Sequence, residues 1–413
     1  MPIPATAPAP VNAGTRELGR RLQLTRAAQW CAGNQGDPNA LILRATADPA
    51  PLEREIRARG PWFRSELTGA WVTADPRWRQ AALADRAFAR STAPTVVRTR
   101  NCCPSQRLSP AMSVQSSPGY GLAAPVLSRC APAEAPCEAR TAARRLLRRL
   151  LPSDGAGFDL VTEVARPYAV GLVLRLLGVP DCDRDTMGRA LAGCAPNFDA
   201  RLARRPWLSL GSPPTPSRPW PTMSRNSLLR SSGPSRAPSP GPTMFSPSSC
   251  ATVPPRDVER IALLLAIGTP EPAATAVANT VHRLLNRPGE WGRVRRTPAA
   301  ARAVDRTLRD RPPARLESRV ASTDLESRGC RIAADDHVVV LAAAGRDAPG
   351  PEPLGGRTRP HLALALPLIR LAATTAVQVM AGRLPGLRVE DEPLTRPRSP
   401  VVCACARFRV HPG

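Results

Sequence analysis

Apolar positions recur at a period near 3.6 along most of the chain, and only a few short runs look β-like. The organising stretch is 357–387, in which a clear helical pattern starts at Leu368. Leu368, Leu371, Thr375 and Val379 share one face, Gly382 closes the last turn, and Pro385 stands just beyond. Residues 139–151 predict an amphipathic helix, with Leu146, Leu147, Leu150 and Leu151 opposite Arg144, Arg145, Arg148 and Arg149. Residues 158–179 predict a buried helix pair ended by Gly178 and Pro180. Asp257 starts a long helix in which Val277, Val281, Leu284 and Leu285 repeat. Pro270 and Pro272 each remove a backbone donor there, so a kink is expected, with its polar neighbours facing solvent. A further helix is expected over 298–309.

Toward the N-terminus, 1–14 is Pro/Ala-rich and reads as disordered. Residues 15–31 read as a loose helix with Leu18, Leu22 and Trp30 on related faces. In the next helix Asp48 is the cap, Pro49 and Pro51 suit the first turn, and Gly60 ends it, with Leu52 and Ile56 buried. Residues 62–65 and 70–73 predict two strands around Thr68-Gly69, and Asp75-Pro76 opens another helix. Residues 316–321, 330–332 and 337–341 predict strands, with a turn at 327–329; Val338, Val339 and Val340 suit a buried strand. The expected class is mainly α with small β-sheets.

Two stretches break this pattern. Residues 86–133 carry six Arg and no acid, and residues 200–256 carry eight Arg and no acid. Of the 40 residues from 211 to 250, 11 are Ser and 10 are Pro, so no packed element is expected there. Either these are linkers or they are GC-rich DNA translated out of frame. The second reading is preferred, because structureless insertions of this length are rare inside a compact domain. One domain over 15–413, interrupted at 86–133 and 200–256, is the expected organisation.

The net charge of +25 first suggests a nucleic-acid partner. The basic residues are all Arg, however, with no Lys, which points to GC-rich coding rather than to phosphate contacts. Aromatic residues make up only 4%, leaving few platforms on which bases could stack. No nucleic-acid partner is expected. No run of about 20 apolar residues suggests a membrane span. MPIPATAPAP lacks the features of a signal peptide, so a cytoplasmic location is expected. The eleven cysteines show no metal-ligand spacing and read as free thiols. Four dispersed His and the absence of G-x-S-x-G, Walker A and G-x-G-x-x-G motifs leave no catalytic constellation.

Three blocks carry a family resemblance: AVDRTLRDRPPARLESRVA at 303–321, HVVVLAAAGRD at 337–347, and MAGRLPGLRV at 380–389. They resemble the C-terminal half of a bacterial cytochrome P450. The helix–hairpin–helix order of DPAPLEREIRARGPWFRSELTGAWVTAD resembles the family's N-terminal part. In that family the last long helix follows a loop whose Cys thiolate ligates haem iron. Here the corresponding loop is expected at 361–367, and no Cys occurs between Cys330 and Cys403. The family's acid–alcohol pair on the central helix has only Thr269 and Glu271 as imitators, beside Pro270 and Pro272. At its Glu-x-x-Arg motif, Arg309 matches the Arg, Arg306 stands in place of the Glu, and Asp305 is one residue off.

Three haem-linked features are thus missing while packing residues persist. The chain resembles most the haem-free P450 homologues that serve glycosyltransferases in actinomycete macrolide and anthracycline pathways. That resemblance implies no cofactor and no catalytic or metal-binding residue. It implies a non-enzymatic protein that binds, stabilises and activates a cognate glycosyltransferase as a hetero-oligomer. The sugar would be a deoxy(amino)sugar and the aglycone a polyketide, with an anthracycline favoured. Leu18, Leu22 and Trp30 are the candidate partner-binding residues. The alternative is a haem-thiolate monooxygenase of secondary metabolism whose ligand loop is missing from this sequence.

Overall fold

The computed structural model describes, with short gaps, residues 23–89, 137–192, 261–341, 360–395 and 405–413. The elements follow one another as α1 (Pro38–Arg44), α2 (Pro49–Ala58), β1 (Phe63–Arg64), β2 (Trp71–Thr73), β3 (Phe88–Ala89), α3 (Cys137–Leu150) and β4 (Phe158–Asp159). A π-helix (Leu160–Ala165) leads into α4 (Arg166–Leu176), then α5 (Asp181–Ala192), α6 (Pro270–Leu285), α7 (Glu290–Arg293) and α8 (Thr297–Asp310). Strands β5 (Leu316–Ala321), β6 (Leu325–Ser327), β7 (Cys330–Ile332) and β8 (His337–Leu341) precede α9 (Pro360–Arg383). The chain closes with β9 (Arg388–Val389), β10 (Leu394–Thr395), β11 (Cys405–Arg407) and β12 (Arg409–His411).

Helix α9 is the axis. It packs against α3, α6 and α8, and Leu368, Leu371, Thr375 and Val379 are all buried, as their spacing predicts. Burial extends round the helix to Ile369, Ala373, Val377 and Ala381, so α9 is enclosed rather than amphipathic. Its segment 365–383 is long and apolar enough to cross a membrane by composition, contrary to the expectation from sequence, but it lies in the core of the fold. The helix runs one residue past Gly382, to Arg383. Residues 361–367 are not a loop: α9 begins at Pro360 and passes through Pro367.

The main sheet has the order β1-β2-β8-β5-β3, with β2 and β8 parallel and the other pairs antiparallel. Both faces of β8 are covered, which explains its uninterrupted apolar run. Val339 and Leu341 face the helical core, whereas Val338 and Val340 face a smaller cluster with Trp62, Trp71 and Ile332. The hairpin turn uses Gly69 at φ +66° and the β6–β7 turn uses Gly329 at φ +79°, backbone that a side chain would strain. Strand β3 lies inside the stretch set aside from residue 86, so the folded domain continues at least to Ala89.

Several expectations shift by a turn. In α3 the buried face is Ala139, Ala142, Ala143 and Leu147, with Leu146 and Leu150 only half-buried, because small residues let α3 sit close to α9 and α4. Residues 158–179 contain a short strand before the helical pair. Asp159 ends that strand and caps the π-helix, accepting from Val161 N at 2.8 Å and Thr162 N at 3.0 Å. Glu163 accepts from Asp159 N at 2.9 Å, a reciprocal cap. Asp48 and Asp257, proposed as caps, lie outside the described residues.

Candidate functional site

In the helix leading to α6, Thr269 N donates to Leu265 O at 3.1 Å and Ala273 N to Thr269 O at 2.9 Å, so the rod is nearly continuous. Pro270 and Pro272 cannot donate to the carbonyls four residues back, and the rod bends at Thr269 as expected. The polar residues at the bend do not face solvent. Thr269 is fully buried and its Oγ1 has no hydrogen-bond partner among the described residues, and Glu271 is buried as well. Glu271 receives both Arg166 Nε (3.3 Å) and Nη2 (3.4 Å), a forked pair joining α6 to the start of α4. Residues two apart on a helix project to opposite sides. Thr269 and Glu271 therefore do not form an acid–alcohol pair, and the carboxylate is held by Arg166 instead.

The next contact is Tyr168 on α4. Its hydroxyl donates to Ala372 O of α9 at 3.1 Å and also bonds Thr375. Complete burial pushes the phenol well above the usual tyrosine range, with the Thr375 bond opposing weakly. Thr374 Oγ1 is buried nearby in sequence without a partner among the described residues. Arg166, Tyr168, Glu271 and Ala372 thus pin α4, α6 and α9 together by polar contacts inside an apolar core.

The opposite side of α9 is fastened by a second set. Asp305 of α8 accepts from Arg370 Nε at 2.7 Å. Gln378 donates to Arg295 O at 3.1 Å and Thr297 Oγ1 at 3.0 Å, and accepts from Arg144 Nη2 at 3.3 Å. Trp291 Nε1 donates to Leu384 O at 2.9 Å and Arg295 Nε to Ala381 O at 3.2 Å, satisfying carbonyls at the end of α9. Arg306 and Arg309 are exposed and make no ion pair among the described residues.

The residues do not fit a thiolate-ligated haem. The segment before and within the first turns of α9 has no cysteine, and its backbone from Pro360 is helical. His361 lies in the first turn, with its side chain outside the described residues. Buried Cys405 is in β11, beyond α9, with Sγ 4.0 Å from Asn279 Oδ1 of α6. Among the described residues no group of His, Cys, Asp and Glu is placed to hold a metal ion.

Of the candidate partner-binding residues, Leu18 and Leu22 lie outside the described residues. Trp30 is 62% exposed, with the Arg44 guanidinium 4.4 Å from its ring centroid. Leu24 is 59% exposed on the same N-terminal segment.

The fold is that of the cytochromes P450. A crystal structure of ligand-free CYP164A2 of Mycobacterium smegmatis matches with a TM-score of 0.66 at 24% identity, over 91% of this chain and 99% of that one. No family model matches the chain. Protein TylM3 of Streptomyces fradiae is 36% identical over 98% of this chain and 96% of its own length. Protein AknT of Streptomyces galilaeus is 33% identical over 95% of each. The chain belongs to their family, the cytochrome P450-like auxiliary proteins of glycosyltransferases, which are not catalysts themselves.

Proposed function

We propose that this chain binds, stabilises and activates a glycosyltransferase that attaches a deoxy(amino)sugar to a polyketide aglycone, and does so in the cytoplasm without haem. One observation carries the reading. A P450 scaffold persists along nearly the whole chain, matched by TylM3 over 98% of it, around a helix α9 whose start supplies no thiolate. TylM3 and AknT point to macrolide and anthracycline pathways, and AknT supports the anthracycline branch. Activation needs no chemistry from this chain. A partner that binds only the competent conformation of an enzyme shifts its population toward that conformation and protects it from unfolding. The two proteins form a hetero-oligomer.

The test is co-expression with a glycosyltransferase that attaches a deoxy(amino)sugar to a polyketide aglycone. Sugar transfer is measured with the transferase alone and with this chain added. The expected result is co-purification and a rate that rises on addition. A transferase equally active and equally stable without this chain overturns the reading.

A further inference from the structure

The helix at 27–34 reverses the usual division between core and surface. Ala32 and Gly33 are buried, whereas Ala27, Trp30, Cys31 and Asn34 are exposed, and at spacings of three and four these share one side. The largest residue of the helix therefore points outward and the smallest inward. Among the described residues three large apolar side chains are exposed, Leu24, Trp30 and Leu394, and two of them belong to this N-terminal segment. Trp30 is also braced. Arg44, in the last turn of α1, donates to Trp30 O and to Asn34 Oδ1 (3.1 Å) and lies against the indole. A Cβ at Gly33 would fall 2.5 Å from Arg44 Cζ and push the guanidinium aside, so glycine is what lets Arg44 reach the ring.

We infer that Trp30, backed by Arg44, is the anchor with which this chain docks on its glycosyltransferase, the indole being received in an apolar pocket of that enzyme. The inference rests on the proposed function and adds the contact site. An isolated protein gains by burying an indole in its own core, so one kept outside and braced there fits a surface that a partner completes. Tryptophan and arginine are the side chains that most often carry the binding energy of an interface, from its apolar centre. Bracing also limits the side-chain freedom that docking has to remove. The match to TylM3 takes in 98% of the chain, so this helix lies within the part shared with an auxiliary protein of a glycosyltransferase. A transferase is the partner common to that family, which favours it over a second copy or a membrane as the occupant.

The full chain is purified and its affinity measured for a glycosyltransferase that attaches a deoxy(amino)sugar to a polyketide aglycone. The expected result is that Trp30→Ala weakens the complex about tenfold or more, whereas Leu394→Ser, the exposed apolar residue on β10, leaves it within about twofold. Circular dichroism checks the fold. A second measurement needs no variant: Cys31, exposed beside Trp30, should be alkylated more slowly in the complex than in the free chain, while exposed Cys137 of α3 reacts alike in both. Should Trp30→Ala misfold, the protection of Cys31 decides. A Trp30→Ala variant that binds like wild type overturns the docking site, as does a Cys31 equally reactive in the complex. With transferase affinity unchanged, a wild-type dimer that Trp30→Ala dissociates assigns the helix to a second copy instead. Loss of binding only to anionic phosphatidylglycerol vesicles assigns it to a membrane, and either result overturns the inference. A wild-type chain that neither binds the transferase nor raises sugar transfer overturns the function itself, and is distinguished by that separate readout.

Discussion

Asp305 of α8 holds Arg370 of α9 through an Oδ1–Nε contact of 2.7 Å, one residue before the position where the resemblance expects a glutamate. The family's Glu-x-x-Arg motif fastens a scaffold, and here the neighbouring carboxylate performs a tie of its own between α8 and α9. Both side chains are about one-third exposed, so solvent screens the pair. Asp305→Ala is expected to cost about 0.5–1 kcal/mol. A urea titration of Asp305→Ala, Arg370→Ala and the double variant gives the coupling directly, and the double variant should lose less than the sum. Arg306→Glu should stay within about 0.5 kcal/mol of wild type, because Arg306 is exposed and makes no ion pair among the described residues. A large gain from Arg306→Glu would show that the tie is incomplete.

Glu271 behaves as a structural anion. With Arg166 beside it and both groups largely enclosed, Glu271→Ala leaves a guanidinium without its forked partner. Breaking a buried pair from one side is expected to cost about 3 kcal/mol. Replacing both, Arg166→Leu with Glu271→Leu, should cost clearly less, since no uncompensated charge then remains. Denaturant midpoints decide it. Equal losses in the single and double variants would mean that the pair contributes shape rather than charge.

How far these ties were legible depends on their range. The strands at 316–321, 330–332 and 337–341 have the bounds that β-branched runs and turn residues predicted, because those signals are local. The segment 361–367 is helical where the resemblance implies a loop. Its alternating Leu and Ala suit a helix, but the family's loop and Pro367 argued against one. From Ala365 onward the described residues of α9 are mostly buried, so tertiary packing favours the helix. The Arg166–Glu271 pair spans 105 positions and the Arg144–Gln378 contact 234, and no periodicity reports such partners. The burial of Thr269 and Glu271 was likewise invisible, because polar residues beside proline normally mark a surface.

Tyr168 sits wholly inside the core and donates to Ala372 O. Its folded-state pKa is raised, so the neutral form stabilises the fold fully below the unfolded value near 10 and is lost as pH climbs beyond it. The chain has two tyrosines. Absorbance near 295 nm should therefore show one phenol that resists ionisation until alkaline unfolding, when far-UV dichroism collapses at the same pH. In Tyr168→Phe that late step should vanish, with stability lower by about 1 kcal/mol. A smooth titration of both phenols in folded protein would mean that the tyrosine is accessible.

His282 gives the opposite limb of the pH curve. Burial, helped by Arg311, holds its imidazolium below the ordinary range, while Glu392 at 3.5 Å pulls the other way. The ring also stands edge-on to Phe408, with centroids 5.6 Å apart. Because the folded pKa is depressed, the unfolded chain takes up the proton first as pH falls below about 6.5. Stability contributed here is complete above that value and is lost toward the lower folded pKa. Urea midpoints at about pH 7.5 and about pH 5.5 should differ more in wild type than in His282→Asn. Identical slopes would show that Glu392 balances the burial.

The absence of haem is the expectation with the widest consequence. A thiolate ligand drives O–O cleavage in P450s by pushing electron density to iron, and the α9 region offers no cysteine, and a helix, where that ligand belongs. The opposing side of the core is occupied by the Arg166–Glu271 pair rather than by a proton-relay pair. Protein expressed with haem supply and purified should show no Soret band, oxidised or reduced, with or without carbon monoxide, while far-UV dichroism reports a helical fold. That result leaves activation of a glycosyltransferase as the function to measure. A Soret band that shifts on reduction with carbon monoxide as a thiolate-ligated haem does would restore the monooxygenase reading, and would require a cysteine ligand from outside the described residues. Alkylating the thiols before haem addition separates that case from adventitious haem on the apolar surface: a true ligand is lost with its thiolate, and nonspecific binding is not.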